Sequence, residues 1–373
     1  MIRILHILHS MDRGGAENAL MNYYRHINRD EMQFDFLLTS PDHCQFEDEI
    51  LAMGGRMYRI PRMTKSKPFE YLAAINTFFK EHKEYKIVHS HTSSKSVFPL
   101  FFAKIHGVKV RISHSHNTKS EAGLNGKIRD FLKKPLLYVA NNYFACGEES
   151  GRWLYGDRLF NQGKVRVIPN VIEGRHFEYD EVKRKEMRRI MGVSDETVVI
   201  GCTARFNIQK NHSFLLDVFT DYYKKNAESR LLLIGDGDLR ESLESKAKRL
   251  GIYDKIIFTG VVPNVADYEQ AMDIFAMTSL YEGLPLSVVE AQIAGLPCLV
   301  TDVVTKEVDL TGLVSFLSIR NGCDIWVCEI EKQRNRKRRG YLQEIIKAGY
   351  DAETSAKSLQ QYYMDLYNVV LIS

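Results

Sequence analysis

Short apolar runs alternate with helix-spaced runs along this chain, and the alternation is laid down twice. In the first half, Ile2, Ile4, Leu5, Ile7 and Leu8 form an apolar opening run that leads into Gly14-Gly15. Ala16, Leu20, Tyr23, Tyr24 and Ile27 then come at helical spacing. Further strand-like runs lie at 33–39, 56–60, 87–90, 108–113 and 142–146, with helical stretches such as 69–82 and 95–106 between them. The pattern pauses over VRVIPNVIEGRHF (165–177), where Pro169, Asn170 and Gly174 are turn residues, and a charged helix comes next at 181–191. It then restarts. Strands are expected at 197–204, 230–235, 255–260, 273–278 and 297–301, and helices at 213–225, 239–250, 265–272 and 286–294. Strands that alternate with helices make parallel βαβ units with helices on both sheet faces. The chain therefore reads as α/β, with two doubly wound Rossmann-like domains expected at 1–170 and 171–350. In the closing segment, 351–373, Leu359, Tyr362, Tyr363 and Leu366 fall on one helical face, which has to be buried.

Composition narrows the classes. The 373 residues are 45% hydrophobic and 26% charged, which excludes disorder, collagen and coiled coil as the main architecture. A formal net charge of +4 is too small to argue for a nucleic-acid partner. The 6 cysteines are scattered with no CxxC pair, so a disulfide framework is not expected. No run approaches the roughly 20 apolar residues of a membrane span, and the expected location is cytoplasmic.

In open α/β sheets, ligands bind beyond the carboxyl ends of the strands, and three constellations fall there. Gly14 and Gly15 come after the first strand. They let the backbone approach a ligand, and the next helix offers its N-terminus to an anion; a plain tight turn explains the pair equally well. Arg205 and Lys210 come after the first strand of the second domain, where an Arg fork and a Lys point charge suit a diphosphate; two solvated surface charges are the bland alternative. The most specific is Glu282-Gly283-Leu284-Pro285…Glu290. Pro285 is a favoured first helical residue, so the N–H groups near Gly283 and Leu284 are expected at a helix N-terminus. Glu290 lies about one and a half turns inside that helix among Val288, Val289 and Ile293. A carboxylate there is costly without partners, and it can accept two hydrogen bonds from vicinal hydroxyls.

Together, the two Rossmann-like halves, the Gly-Gly loop, R-x4-K and E-x7-E resemble the GT-B glycosyltransferases. They are most similar to the retaining nucleotide-sugar family called family 4, or group 1, in the subgroup that builds bacterial capsule and exopolysaccharide. The resemblance covers roughly residues 1–367. It implies two domains facing across a cleft, the acceptor mainly on the first and the nucleotide sugar, expected to be UDP-linked, on the second. A last helix then crosses back to the first domain. It implies that Arg205 and Lys210 grip the diphosphate and that Gly283 and Leu284 face the donor. Glu290 takes the ribose hydroxyls and Glu282 lies near the donor sugar. Val262 lines the base, and Gly14 and Gly15 approach from the first domain. His116, in SHSHN, is placed beside the donor sugar, so His116, Glu282, Arg205 and Lys210 form the expected catalytic set. The leaving diphosphate helps remove the acceptor proton, and no metal or other cofactor is expected. A nucleotide-sugar epimerase on the same fold and a non-catalytic sugar-nucleotide-binding partner subunit are the competing readings.

Two features lie outside that frame. His89, His91, His114 and His116 stand near two strand ends with alternate spacing, so their imidazoles can converge, although strand ends alone do not make a tetrahedral metal site. KQRNRKRR (332–339) carries six cations in eight positions and reads as a solvated helix. KIRDFLKK (127–134) places Lys127, Arg129, Lys133 and Lys134 beside Ile128, Phe131 and Leu132. It reads as a basic amphipathic helix that can meet an anionic membrane surface or a saccharide or lipid-linked acceptor.

Overall fold

A computed structural model describes residues 1–12, 14–64, 66–117 and 123–372. The chain divides into two units, Met1–Val171 with Ala352–Ser373, and Ile172–Asp351.

The first unit is built on a seven-stranded parallel sheet. In chain order its strands are β1 (Ile2–Leu8), β2 (Met32–Leu38), β3 (Met57–Arg59), β4 (Ile87–Ser90), β5 (Val110–Ser115), β6 (Asn142–Ala145) and β7 (Val165–Val167). Their spatial order is β3-β2-β1-β4-β5-β6-β7. Strand residues alternate between two apolar cores. Ile2, Ile4 and Leu8 enter one and Leu5 and Ile7 the other, so the sheet is covered on both faces. The helices Gly15–His26 and Ala352–Ile372 pack together on the Ile4 face, through Leu20, Tyr23, Ala356, Leu359 and Tyr363. The apolar stripe read at the end of the chain is thereby buried on the first unit.

The second unit has a six-stranded parallel sheet of β8 (Val198–Thr203), β9 (Ser229–Ile234), β10 (Ile256–Gly260), β11 (Ile274–Met277), β12 (Cys298–Thr301) and β13 (Val314–Leu317). The spatial order is β10-β9-β8-β11-β12-β13. Strand order reverses between β1 and β4 in one sheet and between β8 and β11 in the other. At such switch points the loops leave in opposite directions and open a crevice at the strand ends.

Three local expectations need correction. The stretch read as a pause contains β7, an edge strand whose Val167 is exposed. Pro285 is the extended residue before the helix Leu286–Ile293 and not its first turn, with ψ of 112°. The basic run 332–339 is not a solvated helix. The helix ends at Gln333, and the Arg338 guanidinium turns inward to donate to the carbonyls of Gln270, Met272 and Ala294, each at 2.7 Å. A chain leaving a helix leaves carbonyls without partners, and Arg338, with five donors in one plane, serves these three and, at 3.4 Å, the Glu269 carbonyl.

Candidate functional site

In the second unit, the loops after β8 and β11 meet at the switch point. Leu280 N donates to Gln209 O at 2.8 Å, and Thr278 Oγ1 to Asn211 O at 3.0 Å. Asn211 takes a left-handed conformation, φ 50°, just before the helix His212–Lys225; Asn tolerates that region better than most residues. This turn points Lys210 at Glu282, and their side chains pair at 2.6 Å with little exposure, 19% and 8%. Gln209 Nε2 lies 3.4 Å from the other Glu282 oxygen. The structure thus brings Glu282 to two neighbouring residues that lie 72 and 73 positions before it.

Arg205 behaves differently. Its side chain is 69% exposed, and its ion-pair partner, Asp238, stands 3.9 Å away and is itself 85% exposed. Asp238 is brought there by the loop after β9. A Cβ on Gly235 would sit 2.2 Å from the Ala204 carbonyl oxygen, so only glycine allows that approach.

Gly283 and Leu284 lie immediately before the helix Leu286–Ile293. Among the described residues their N–H groups make no backbone hydrogen bond. A Cβ on Gly283 would meet nothing within 4 Å, so that position opens to solvent. Leu284 and Val262, the latter just beyond β10, both pack partly on the core beneath.

Glu290 projects from the same helix, and burial pushes its carboxyl up to about 7. Beside it stands Glu269, a residue the sequence pattern did not single out. Glu269 is wholly buried on the helix Val265–Ala271 and receives a hydrogen bond from Thr203 Oγ1 at 3.2 Å; its other carboxyl oxygen is unpartnered. Burial first and the Glu290 charge second hold the Glu269 carboxyl well above the ordinary range. Two carboxyls that raise one another in this way favour sharing one negative charge. Nothing in the spacing of VADYEQAMD marks Glu269, because its meeting with Glu290 is made by tertiary packing.

In the first unit, Gly14 is the N-cap of the helix Gly15–His26, and neither glycine has a positive φ. A Cβ on Gly15 would meet nothing within 4 Å. Backbone strain and packing therefore do not explain glycine at position 15. His116 is half-buried, and one of its ring nitrogens lies 2.9 Å from His91. Both line a cavity of about 410 Å³ together with Glu17, Lys95, Asn117 and Arg129. Burial pushes the His116 imidazole down to about 4, which keeps it neutral near pH 7.

The basic helix spans Leu124–Val139. Ile128, Phe131 and Tyr138 are exposed at 48%, 76% and 77%, and Lys127 and Lys134 are exposed beside them. Arg129 and Lys133, four apart, share a different face. Arg129 lines the cavity, whereas Lys133 pairs with Asp130 at 2.8 Å and lies 4.1 Å over the Trp153 ring. Two of the four expected surface cations are thus turned toward the body of the unit. Among the described residues, no helix is long and apolar enough to cross a membrane.

Residues 14–171 match the family model described as a glycosyl transferase 4-like domain, and residues 197–326 match the model for glycosyl transferases group 1. EpsF of Bacillus subtilis strain 168, which carries a glycosyltransferase name, is 34% identical over 98% of this chain and 96% of its own. The UDP-Gal:alpha-D-GlcNAc-diphosphoundecaprenol alpha-1,3-galactosyltransferase of Escherichia coli is 24% identical over 73% of this chain and 72% of its own. Among solved structures, HepE of Anabaena in complex with UDP is similar at a TM-score of 0.78. It has 16% identity, over 98% of this chain and 100% of that one, and the shared architecture is the GT-B fold.

Proposed function

This chain belongs to the group 1 glycosyltransferases and is similar to those of polysaccharide biosynthesis; we propose that it is a retaining enzyme that moves a sugar from a UDP-linked donor to a saccharide or lipid-linked saccharide. The observation that carries the proposal is the Lys210–Glu282 pair at the β8/β11 switch point, next to the open N–H groups of Gly283 and Leu284, with the exposed Arg205 on the same loop after β8. The UDP bound to the similar Anabaena protein supports the choice of base, and the diphosphoundecaprenol acceptor of the Escherichia coli relative supports a lipid-linked acceptor.

The chemistry is set by where charge develops. As the bond from the anomeric carbon to the diphosphate breaks, negative charge gathers on the departing phosphate oxygens. Arg205, the Lys210 ammonium and the two N–H groups meet that charge in the transition state without reorganising. Lys210 has three protons, so it can keep Glu282 while it serves a phosphate oxygen. The acceptor hydroxyl attacks the face the diphosphate leaves, and its proton passes to a leaving phosphate oxygen. Glu282 and His116 are assigned to the donor sugar, Gly14 and Gly15 to donor approach, Val262 to the base and Glu290 to the ribose hydroxyls. Charge stabilisation comes from side chains and backbone, so the proposal assigns no metal to the transfer. A thermal-shift panel of nucleotide sugars tests the donor class, because a ligand that binds the folded state raises its melting temperature. UDP-sugars are expected to give the largest rise, and a larger rise with a guanine or cytosine nucleotide would overturn the assignment.

The Glu290 assignment predicts a pH dependence with a definite sign. A carboxyl that accepts two hydroxyls must be ionised, and this one is held near 7 by burial. Binding below that pH therefore requires a proton to leave, and UDP affinity should fall by roughly tenfold for each pH unit below about 7. Above it the affinity should level off. Calorimetric titrations across this range check the slope. Glu290→Gln is expected to bind more weakly at pH 8 and to lose the slope, and a variant that keeps the slope would remove Glu290 from the ribose.

We place the Ile128, Phe131 and Tyr138 face of the basic helix against the membrane that would carry a lipid-linked acceptor. Flotation with phosphatidylglycerol vesicles should recover the protein, and Phe131→Asp should abolish recovery. Equal recovery with neutral phosphatidylcholine vesicles would count against a charge-selective surface.

A further inference from the structure

Five imidazoles gather on one face of the first sheet, and the transfer proposed above uses only one of them, His116. The parallel register sets His6 of β1 beside His89 of β4 and, by continuation, His91 beside His114 of β5. Alternate strand residues share a face, so His116 joins them. His91 touches His6 at 3.0 Å and His116 at 2.9 Å through its two ring nitrogens. His89 touches His114 at 3.1 Å and the Tyr363 hydroxyl at 2.6 Å. Among the described residues, three ring nitrogens remain buried without a hydrogen-bond partner, those of His6 (Nε2), His114 (Nε2) and His116 (Nδ1).

Hydrogen bonding alone does not satisfy this arrangement. A neutral imidazole carries one proton and one lone pair. In the chain His116–His91–His6, three protons serve two internal bonds. One end must therefore bury an N–H with no acceptor and the other a lone pair with no donor. Each unsatisfied group costs about 1–3 kcal/mol. The second chain has a consistent arrangement in which His114 Nδ1–H donates to His89 Nε2 and His89 Nδ1–H donates to Tyr363. That arrangement leaves a bare lone pair on His114 Nε2, on a side chain that is 4% exposed.

We propose that His91, His114 and His116 form a three-imidazole site for a divalent transition-metal ion, with Zn²⁺ as the fitting probe. One ring nitrogen from each lies within 4.8 Å of the other two. Tetrahedral zinc with Zn–N bonds of 2.0–2.1 Å sets its ligands about 3.3 Å apart. The 2.9 Å between His91 and His116 therefore has to open by only a few tenths of an ångström. Two of the three rings carry the outer hydrogen bond of a metal ligand. His6 holds His91, and His89 with Tyr363 behind it holds His114, which fixes each tautomer and ring plane. His91 and His116 also line the 410 Å³ cavity, so an ion has a way in. Imidazole-only donors suit zinc, nickel and copper and disfavour magnesium and calcium. Ligation uses one nitrogen of each ring and leaves His116 its second.

The test uses the full chain stripped with a chelator and then titrated with Zn²⁺ by calorimetry. One ion per chain is expected. His114→Gln and His116→Gln should each weaken binding at least tenfold, while His43→Gln, on an exposed ring outside the cluster, should leave it unchanged. Zinc bound equally by the His114→Gln/His116→Gln double variant would overturn the proposal, as would no saturable binding by the native chain. Loading native protein with Co²⁺ supplies a readout that needs no variant. Visible absorption bands of four-coordinate cobalt are expected, and their absence at saturating Co²⁺ would also overturn it.

Discussion

Arg205→Met should lower kcat by roughly 10²–10³-fold and leave the melting temperature unchanged. A loss of that size accompanies the removal of one preorganised donor from a developing anion. The stability should hold because the Arg205 side chain is 69% exposed and its ion-pair partner, Asp238, is distant and exposed; such surface pairs contribute little. Lys210→Met should lose activity to a similar degree for the same reason. It should also destabilise the fold, because Glu282, 8% exposed, would keep its charge without its partner. The double variant Lys210→Met/Glu282→Gln separates the two effects, since it should regain melting temperature and stay inactive. Steady-state kinetics and thermal melts on the three variants check this. An active Arg205→Met protein would remove Arg205 from the diphosphate.

Arg338→Met carries the largest expected stability effect outside the site. The guanidinium donates to three carbonyls at 2.7 Å and to a fourth, Glu269 O, at 3.4 Å, and stacks 4.4 Å from the Tyr179 ring. Its removal leaves the Ala294 carbonyl without its donor and weakens two others, at a cost of about 3 kcal/mol. For a unit of this size that is a fall of roughly 6–12 °C in melting temperature. Arg336→Met, in the same basic run but exposed, should change stability by less than about 0.5 kcal/mol. Equal melts for the two variants would show that the Arg338 hydrogen bonds contribute little.

These two arginines also mark what a sequence can and cannot convey. Periodicity reveals strands and helices because it is local, and the doubled pattern of this chain is legible for that reason. Arg205, Lys210, Glu282 and Glu290 are legible because they sit at fixed offsets from strand ends. Which arginine of 332–339 turns inward is not, because it depends on which carbonyls the end of a neighbouring helix leaves open. β7 escapes the pattern since an edge strand with an exposed Val167, close to Pro169, lacks the apolar density of a central one. Glu269 and His6 escape it for a shared reason. Each acquires its meaning from a partner on another element, Glu290 for one and His89 and His91 for the other, and parallel sheets bring such partners together only through long crossovers.

The central claim is a nucleoside diphosphate held by the second unit, and calorimetric titration of UDP into the native chain and into Lys210→Met/Glu282→Gln tests it most directly. One UDP per native chain, and binding weakened at least tenfold in the folded double variant, is the predicted result. UDP that fails to bind the native chain, or binds both proteins alike, would contradict it.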